Sequence, residues 1–118
     1  MSEWTAEQLR AGHALARDLG FQLISNPPQY SMLWRVIEAD VVPASEEVGV
    51  AQIVFSPIAQ GVLTGKYLPG QQPPADSRGG HAEAGGSMRR FLRDDVLTRV
   101  QGLRPVAEDL ADLDRDIS

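Results

Sequence analysis

The stretch Val50-Ala-Gln-Ile-Val-Phe55, which Ser56-Pro57 closes at once, decides the fold of this chain. Its apolar, β-branched composition is typical of a buried strand, and a proline directly after it does not continue the strand ladder. A similar run, Phe21-Gln-Leu-Ile24, precedes it and ends before Pro27 and Pro28. The sequence therefore predicts two buried strands, over 21–24 and 50–55.

Helical patterns lie before and between these strands. Thr5 begins a capping-box pattern and Gly20 suits a left-handed helix end, which predicts a helix over 5–19. Helical spacing returns over 31–48, with Pro43 as a break or a second start and Gly49 as the end. A helix between two strands implies a parallel crossover, so the fold class is α/β.

Helical periodicity fades over 57–93, where the sequence predicts one or two helical turns at most and a mobile, glycine-rich loop tip at 79–87. Helical spacing resumes over 94–113, where Pro105 should kink or split the helix. The last residues, 112–118, are charged and lack a pattern. Two apolar strands need neighbours on both sides, so we expect a piece of a larger α/β protein.

Composition excludes several classes of function. The chain has 118 residues, no cysteine and a net charge of -5, which excludes disulfides and thiolate zinc sites and disfavours nucleic acid and anionic lipid as partners. No apolar run is long enough to cross a bilayer, and no signal peptide is recognisable. We therefore expect a cytoplasmic protein.

The richest chemistry lies just past the second strand, in the residues 55–67, Phe-Ser-Pro-Ile-Ala-Gln-Gly-Val-Leu-Thr-Gly-Lys-Tyr. Ligand sites of parallel α/β folds gather at this end of a strand. Small residues at Ala59, Gly61 and Gly65 would expose backbone amides to an anion, and Lys66 is the only lysine. This pattern indicates a phosphate-bearing ligand; the alternative is an ordinary strand end followed by a solvated lysine.

Other polar residues carry weaker signals. The segment Ser25–Ser31 either orients a planar ligand or forms a turn and a helix cap. His13 and His81 are isolated, so we predict no metal site. The arginines at 89, 90 and 93 are typical of a solvated helix face.

Four stretches together resemble a known family: Ser2-Glu-Trp4, Asn26-Pro-Pro-Gln-Tyr-Ser31, residues 56–67, and Pro73-Pro-Ala-Asp-Ser-Arg78. On these residues the chain is identified as a member of the aldo-keto reductase family, similar to bacterial members that are related to the β-subunits of voltage-gated potassium channels. The resemblance implies a (β/α)8 TIM barrel that binds NADPH and transfers hydride to aldehydes or ketones.

The resemblance covers only part of that barrel. It implies strands six and seven with their helices and a long cofactor loop, as a partial barrel domain over 1–111 that is followed by the tail 112–118. The family's catalytic Asp, Tyr, Lys and His match no residue of this chain, so we predict no catalytic residue here and expect the chain alone to be inactive. A small carbonyl substrate is then a partner only of a complete barrel, which a complementing chain or self-association would provide.

The resemblance also implies which residues bind the cofactor. Ser2 matches a serine at the nicotinamide amide, and Phe55 matches the aromatic residue that stacks on the nicotinamide ring. Lys66 and Arg78 match cations that close over the phosphates. The loop that lines the pyrophosphate matches Ser56, Pro57, Ile58, Ala59 and Gln60, to which the small-residue pattern adds Gly61.

Two departures from the family pattern fall in this predicted site. Glu3 stands where most relatives have Asn, and Pro27 stands where most have Gln, so the resemblance does not carry over the two amide contacts to the nicotinamide. Two alternatives to a reductase segment stay open, a non-catalytic module that senses nucleotide or docks on a partner, and a truncated remnant without function. The sequence leaves the carbonyl substrate and the preference for NADPH or NADH open.

Overall fold

The computed structural model describes residues 2–81 and 85–117. Its helices and strands, in chain order, are α1 Ala6–Asp18, β1 Ser25–Asn26, α2 Val41–Val48, β2 Ala51–Gln52, α3 Gly85–Met88, α4 Asp94–Gln101 and α5 Arg104–Ile117. Short 3-10 helices occupy Val36–Glu38, Ala59–Thr64 and Arg78–Gly80. The chain divides into two compact units, Met1–Pro57 and Ile58–Ser118.

Helix α1 of the first unit begins at the predicted capping box. The Thr5 Oγ1 accepts a hydrogen bond from the Gln8 N–H at 3.2 Å, and the Gln8 Oε1 accepts one from the Thr5 N–H at 2.9 Å. Gly20 follows the helix with a φ of +78°. The predicted helix over 5–19 is therefore confirmed to within one residue at each end.

The strands pair in parallel, as the crossover predicts. Ser25 lies opposite Ala51 and Asn26 lies opposite Gln52. The ladder continues past both strands, because the Phe55 N–H donates to the Pro28 carbonyl at 3.0 Å. The α/β class and the parallel pairing are confirmed.

The predicted position and burial of the first strand are wrong. Phe21 and Ile24 are 55% and 77% exposed, and the pairing strand lies just after them. Ile53, inside the second apolar run, is 63% exposed. A sheet face is buried only where another layer packs on it, and the described part of this unit has two short strands and no third beside them.

The core of the first unit lies where α1 packs on α2. Leu9, Ala44 and Val50 are buried there, and Trp4 packs against them. Gly12 on α1 makes room for the Trp4 indole, because a Cβ at this position would overlap the ring.

The segment between the strands is helical in two pieces, the 3-10 helix Val36–Glu38 and α2, as Pro43 predicts. Pro43 is the third residue of α2, where its missing N–H costs no helical hydrogen bond. Gly49 ends the helix with a φ of +70°, as predicted.

The second unit has more helical turns before α4 than the one or two predicted, because two 3-10 helices, Ala59–Thr64 and Arg78–Gly80, and α3 precede α4. Of the predicted loop tip 79–87, residues 82–84 lie outside the described residues, and α3 begins directly after them. The predicted helix over 94–113 is split into α4 and α5, and Pro105 is the second residue of α5. Helix α5 continues to Ile117, so the described part of the predicted tail is helical, and the domain boundary at 111 stays a prediction.

A small set of apolar side chains is buried in the second unit. Its members are Ala59, Val62, Tyr67, Met88, Phe91, Leu97 and Val100. No helix in the described ranges has the length and the apolar content that crossing a bilayer requires.

Asn26 connects several parts of the first unit through its side chain. Its side chain is fully buried, and its Oδ1 accepts a hydrogen bond from the Trp4 N–H at 3.1 Å. Its Nδ2 donates to the Trp4 carbonyl at 3.5 Å and to the Gln52 Oε1 at 3.4 Å. This amide therefore joins the residues before α1 to both strands.

We expect Asn26→Ala to lower the free energy of unfolding by about 2 kcal/mol, because it leaves a buried N–H and a buried carbonyl without their partner. Urea unfolding followed by tryptophan fluorescence measures this loss. Gln22→Ala, at an exposed position of the same unit, is the control and should change stability by less than about 0.5 kcal/mol. Equal effects of the two variants would contradict the role given to Asn26.

Candidate functional site

Phe55 and Ser56 lie where the parallel ladder of the first unit ends. The Phe55 N–H donates to the Pro28 carbonyl, and the Phe55 carbonyl accepts from the Tyr30 N–H at 3.3 Å. These bonds hold the backbone of Phe55, while the residue remains 41% exposed. Ser56 follows with a φ of +54°, and Pro57 is exposed. An exposed ring on a fixed backbone is suited to stack on a planar ligand.

Ser2 is held close to the end of β1. It is exposed, and the next residue, Glu3, has a φ of +51° and donates its N–H to the Pro27 carbonyl at 3.3 Å. Pro27 has no amide side chain, but its carbonyl anchors the segment that carries Ser2.

A cavity of about 390 Å³ opens in the first unit, with Tyr30, Arg35 and Glu38 in its wall. The Tyr30 Oη donates to the Glu38 Oε1 at 2.6 Å. Arg35 donates to both oxygens of the same carboxylate, each at 2.8 Å. The polar groups of this cavity therefore satisfy one another.

Ser31 and Asn26, in the segment Ser25–Ser31 that the sequence offers for a planar ligand, also have hydrogen-bond partners within the protein. The Ser31 Oγ accepts from the Leu33 N–H at 3.2 Å, which is a turn contact. The Asn26 amide is used inside the fold. The alternative of a structural turn therefore fits this segment better than a ligand site.

Glu38 and Tyr30 have shifted pKa values. The hydrogen bonds from Arg35, and then that from Tyr30, hold the pKa of the Glu38 carboxyl below its usual range. The hydrogen bond to Glu38, burial and the nearby negative charge raise the pKa of the Tyr30 phenol.

The loop after Ile58 opens the second unit with a sharp turn. Ala59, Gln60 and Gly61 have φ values of +49°, +56° and +98°. The N–H groups of Gly61 and Leu63 both donate to the Ile58 carbonyl, at 3.0 and 3.2 Å. Left-handed conformations at non-glycine residues are costly and concentrate at functional sites.

The expectation that Gly61 and Gly65 expose amides to an anion is wrong for this conformation. The Gly61 N–H donates to Ile58, and the Gly65 N–H donates to the Val62 carbonyl at 3.2 Å. Tight turns close these bonds inside the loop. Gly61 provides space instead, since a Cβ there would lie 3.2 Å from the Nζ of Lys66.

Lys66 and Arg78 are both connected to the buried Tyr67. The Lys66 Nζ lies 5.2 Å from the centroid of the Tyr67 ring. The Gly79 N–H donates to the Tyr67 Oη at 3.2 Å, so Tyr67 binds the backbone directly after Arg78. Lys66 and Arg78 are exposed, and neither forms an ion pair within the ranges 2–81 and 85–117.

The environment of Tyr67 also shifts its pKa. Burial acts to raise it, but the nearby Ser77 hydroxyl, the hydrogen bond from the Gly79 N–H and the charge of Lys66 outweigh burial. The pKa of the Tyr67 phenol is therefore lower than its ordinary value. The polar environment of this loop favours negative charge.

Comparison with known proteins identifies the family. The model of the aldo/keto reductase family matches residues 1–113. The chain belongs to the aldo/keto reductase family.

Relatives of this aldo/keto reductase chain include two proteins described as probable voltage-gated potassium channel subunit beta. The one from Oryza sativa subsp. japonica is 37% identical over 111 residues, which are 92% of this chain and 34% of that protein. The one from Arabidopsis thaliana is 38% identical over 112 residues, with the same coverage. L-glyceraldehyde 3-phosphate reductase of Escherichia coli (strain K12) is 35% identical over 99 residues, 83% of this chain and 27% of that enzyme. The chain thus spans about a third of the length of these relatives or less.

The predicted site of this aldo/keto reductase chain is distributed over both units. The first unit carries Ser2, Phe55, Ser56 and Pro57, and the second carries Ile58, Ala59, Gln60, Gly61, Lys66 and Arg78. Ala59 and Gly61 are buried, whereas Ile58, Lys66 and Arg78 are exposed. Their roles toward a cofactor stay predictions.

Sequence reasoning missed Tyr67 as a member of this site. Its signal in the sequence is the aromatic residue directly after Gly65-Lys66, but a ring in that place is typical of an ordinary core residue. Gln101 was missed too, and its Nε2 donates to the carbonyls of Gly65 and Tyr67, at 2.9 and 3.1 Å. This contact spans more than thirty residues, so no local pattern indicates it.

The remaining sequence expectations concern metal and basic residues. Among the described residues, no group of three or more His, Cys, Asp or Glu side chains could hold a metal ion.

In the basic run of Arg89, Arg90 and Arg93, Arg93 pairs with Asp95 at 3.0 Å. Arg90 lies over the Phe91 ring at 4.6 Å. All three arginines are exposed, as expected, but they lie between α3 and α4, so the prediction of a helix face is wrong.

We expect the two tyrosines to ionise in separate steps, Tyr67 below and Tyr30 above the ordinary tyrosine pKa of about 10. An ultraviolet absorbance titration of tyrosinate measures both steps. Tyr67→Phe should remove the lower step and Tyr30→Phe the upper one. A single step near the ordinary value would contradict the contacts described for both phenols.

The Glu38 cluster predicts a pH dependence of stability. Because the folded pKa of Glu38 is depressed, its contribution is complete above the unfolded pKa of about 4.3 and disappears as the pH falls through the folded pKa. Glu38→Gln should therefore melt at a lower temperature than the parent chain at neutral pH, with a difference that shrinks in acid. Glu46→Gln, at an exposed carboxylate of α2, is the control. A difference that is independent of pH would refute the assignment.

Proposed function

We propose that this chain carries part of the nicotinamide-cofactor site of an NADPH-dependent aldo/keto reductase, which transfers hydride to aldehydes or ketones. Family membership supports the reaction class. The observation that carries the proposal for this chain is the arrangement of Lys66 and Arg78, two exposed cations without a carboxylate partner among the described residues, around one buried tyrosine.

In the second unit, Lys66 and Arg78 would bind the cofactor phosphates. A guanidinium binds phosphate oxygens with two parallel hydrogen bonds, and an ammonium acts as a compact charge. Gly61 has no Cβ, so the stem of Lys66 fits against the loop. Ile58, Ala59 and Gln60 would line the pyrophosphate through the left-handed turn.

In the first unit, Phe55 would stack on the nicotinamide ring, and Ser2 would contact the nicotinamide amide. The ladder bonds of Phe55 support this role, because they hold an exposed ring in one place. Ser56 and Pro57 would continue the lining of the pyrophosphate. In this proposal β1 and β2 are strands six and seven of a (β/α)8 barrel.

When bound, the cofactor would supply the hydride that reduces the carbonyl carbon. The residues of this chain would bind and orient the cofactor. We assign no catalytic residue to this chain, and the proton for the carbonyl oxygen would come from other residues of a complete barrel. The chain alone is therefore expected to show no turnover of carbonyl compounds with NADPH.

A non-catalytic, nucleotide-sensing role is the second candidate. It is favoured by the relatives from rice and Arabidopsis, which are described as probable potassium channel subunits. Two measurements separate the candidates when a chain that supplies the remaining barrel is added: native mass spectrometry detects the complex, and an NADPH assay measures its turnover of carbonyl compounds. Turnover by the complex supports the reductase, whereas a stoichiometric complex without turnover supports the sensor.

We expect Lys66→Met to weaken NADPH binding by about tenfold, because a charge-assisted hydrogen bond contributes roughly 1.5 to 3 kcal/mol. Amide NMR titration of the chain with NADPH measures the dissociation constant. Lys66→Arg should retain most of the affinity. Arg99→Met, an exposed cation on α4 in the same unit, is the matched control and should bind like the parent chain.

The same variants should respond differently to pieces of the cofactor. ADP-ribose retains the pyrophosphate, so its binding should weaken in Lys66→Met as much as that of NADPH. Nicotinamide riboside lacks phosphate, and its binding should be the same in both chains. Equal binding of NADPH by the parent chain and Lys66→Met would reject a phosphate-binding role for this lysine.

A further inference from the structure

We infer that Tyr67 is a positioning residue for the cofactor phosphates: its hydroxyl holds the backbone directly after Arg78, and its ring supports Lys66. This inference rests on the proposed cofactor role of the two cations. Tyr67 itself is 1% exposed, so its ring lies away from solvent and acts through the residues that it contacts.

The hydroxyl of Tyr67 fixes the turn that carries Arg78. The Gly79 N–H donates to the Tyr67 Oη at 3.2 Å. Ser77, on the other side of Arg78 in the chain, is buried and donates its hydroxyl and its N–H to the Pro74 carbonyl, at 2.6 and 2.9 Å. The backbone is thus held by Tyr67 after Arg78 and by Pro74 before it, while the Arg78 side chain remains exposed.

Close packing reinforces these hydrogen bonds. A Cβ at Gly79 would lie 2.9 Å from the Cε1 of Tyr67 and 3.2 Å from the Cβ of Pro73. A distance under 3.0 Å is too short for a Cβ, so the Gly79 backbone approaches the ring as only glycine allows. The turn at Gly79 therefore packs directly on the Tyr67 ring.

The ring of Tyr67 also supports Lys66. The Lys66 Nζ lies 5.2 Å from the ring centroid, within the distance of a cation–π contact. The end of the Lys66 side chain also lies close to Gly61, where a Cβ would be 3.2 Å from both the Cε and the Nζ. The ammonium therefore lies beside both the ring and this glycine, while Lys66 remains exposed.

Tyr67 is itself anchored on a helix. Gln101, the last residue of α4, donates its Nε2 to the Tyr67 carbonyl at 3.1 Å and to the Gly65 carbonyl at 2.9 Å. A regular helix is more rigid than the irregular chain around Tyr67. The contacts therefore connect α4 to both cations through one residue.

A double-mutant cycle tests whether Tyr67 acts through Arg78. Arg78→Gln alone should weaken NADPH binding by about tenfold, and Tyr67→Phe alone by a similar factor. In the Tyr67→Phe background, Arg78→Gln should have little additional effect, because the guanidinium is no longer held in place. A purely structural role of Tyr67 would leave the two effects independent, so additive losses would overturn the inference.

Two further variants keep this test informative. Tyr30→Phe, at the only other tyrosine, is the control and should leave NADPH binding and the effect of Arg78→Gln unchanged. Gly79→Ala keeps both cations and the phenol but pushes a methyl group into the ring, so it should reproduce the loss of binding if Tyr67→Phe proves unstable. Parental affinity in a folded Gly79→Ala chain would overturn the inference.

A measurement without ligand separates this inference from the proposed function. Amide hydrogen exchange of Gly79 should speed up at least about tenfold in Tyr67→Phe relative to Tyr30→Phe, because the acceptor of its N–H is gone. Unchanged exchange would overturn the positioning role whatever NADPH does. Conversely, faster exchange together with equal NADPH affinity of the parent and Arg78→Gln chains would confirm the held turn and reject its proposed use for the cofactor.

Discussion

The buried amide of Asn26 is the interaction on which the first unit depends. One side chain satisfies both backbone polar groups of Trp4 and contacts Gln52 on the neighbouring strand. Gln52 in turn donates to Ser45, whose hydroxyl donates to the Val41 carbonyl at 2.7 Å. A sheet of only two short strands has few ladder bonds, so this chain of side-chain bonds is what ties the N-terminal segment, the strands and α2 together.

The second unit is also organised by a buried polar group that needs hydrogen-bond partners within the protein. It has no strand among its described residues, and its first part consists of turns. A buried phenol takes the place of the buried amide: Tyr67 accepts from the Gly79 N–H, and Gln101 holds its backbone. In both units a polar group that water cannot reach has to find partners within the protein, and those partners are backbone groups distant in sequence. That requirement gives irregular segments a defined conformation.

The sequence predictions that the structure confirms depend on local signals. The capping box of α1, the left-handed ends at Gly20 and Gly49, and the split at Pro105 each depend on a few neighbouring residues. Burial of the first strand depends instead on which layers pack over it, and Phe21 is exposed because the described part of its unit places no layer there. The paired amide of Gly61 and the role of Tyr67 depend on turn closure and long-range contacts, which periodicity and composition do not report.

Backbone strain bears on the candidate site independently of the family resemblance. Among the described residues, Glu3, Ser56, Ala59 and Gln60 are the non-glycine residues with a positive φ. Each such residue costs on the order of 1 kcal/mol, which glycine would avoid. All four lie in, or directly beside, segments that the family pattern assigns to the cofactor. Strain of this kind persists where surrounding contacts hold it. Here the Pro27 carbonyl holds the Glu3 N–H, and the hydrogen bond from Gly61 to Ile58 closes the turn that contains Ala59. Strained backbone at non-glycine residues is thus concentrated in or beside the segments that we propose bind the cofactor, and functional sites are where such strain commonly occurs.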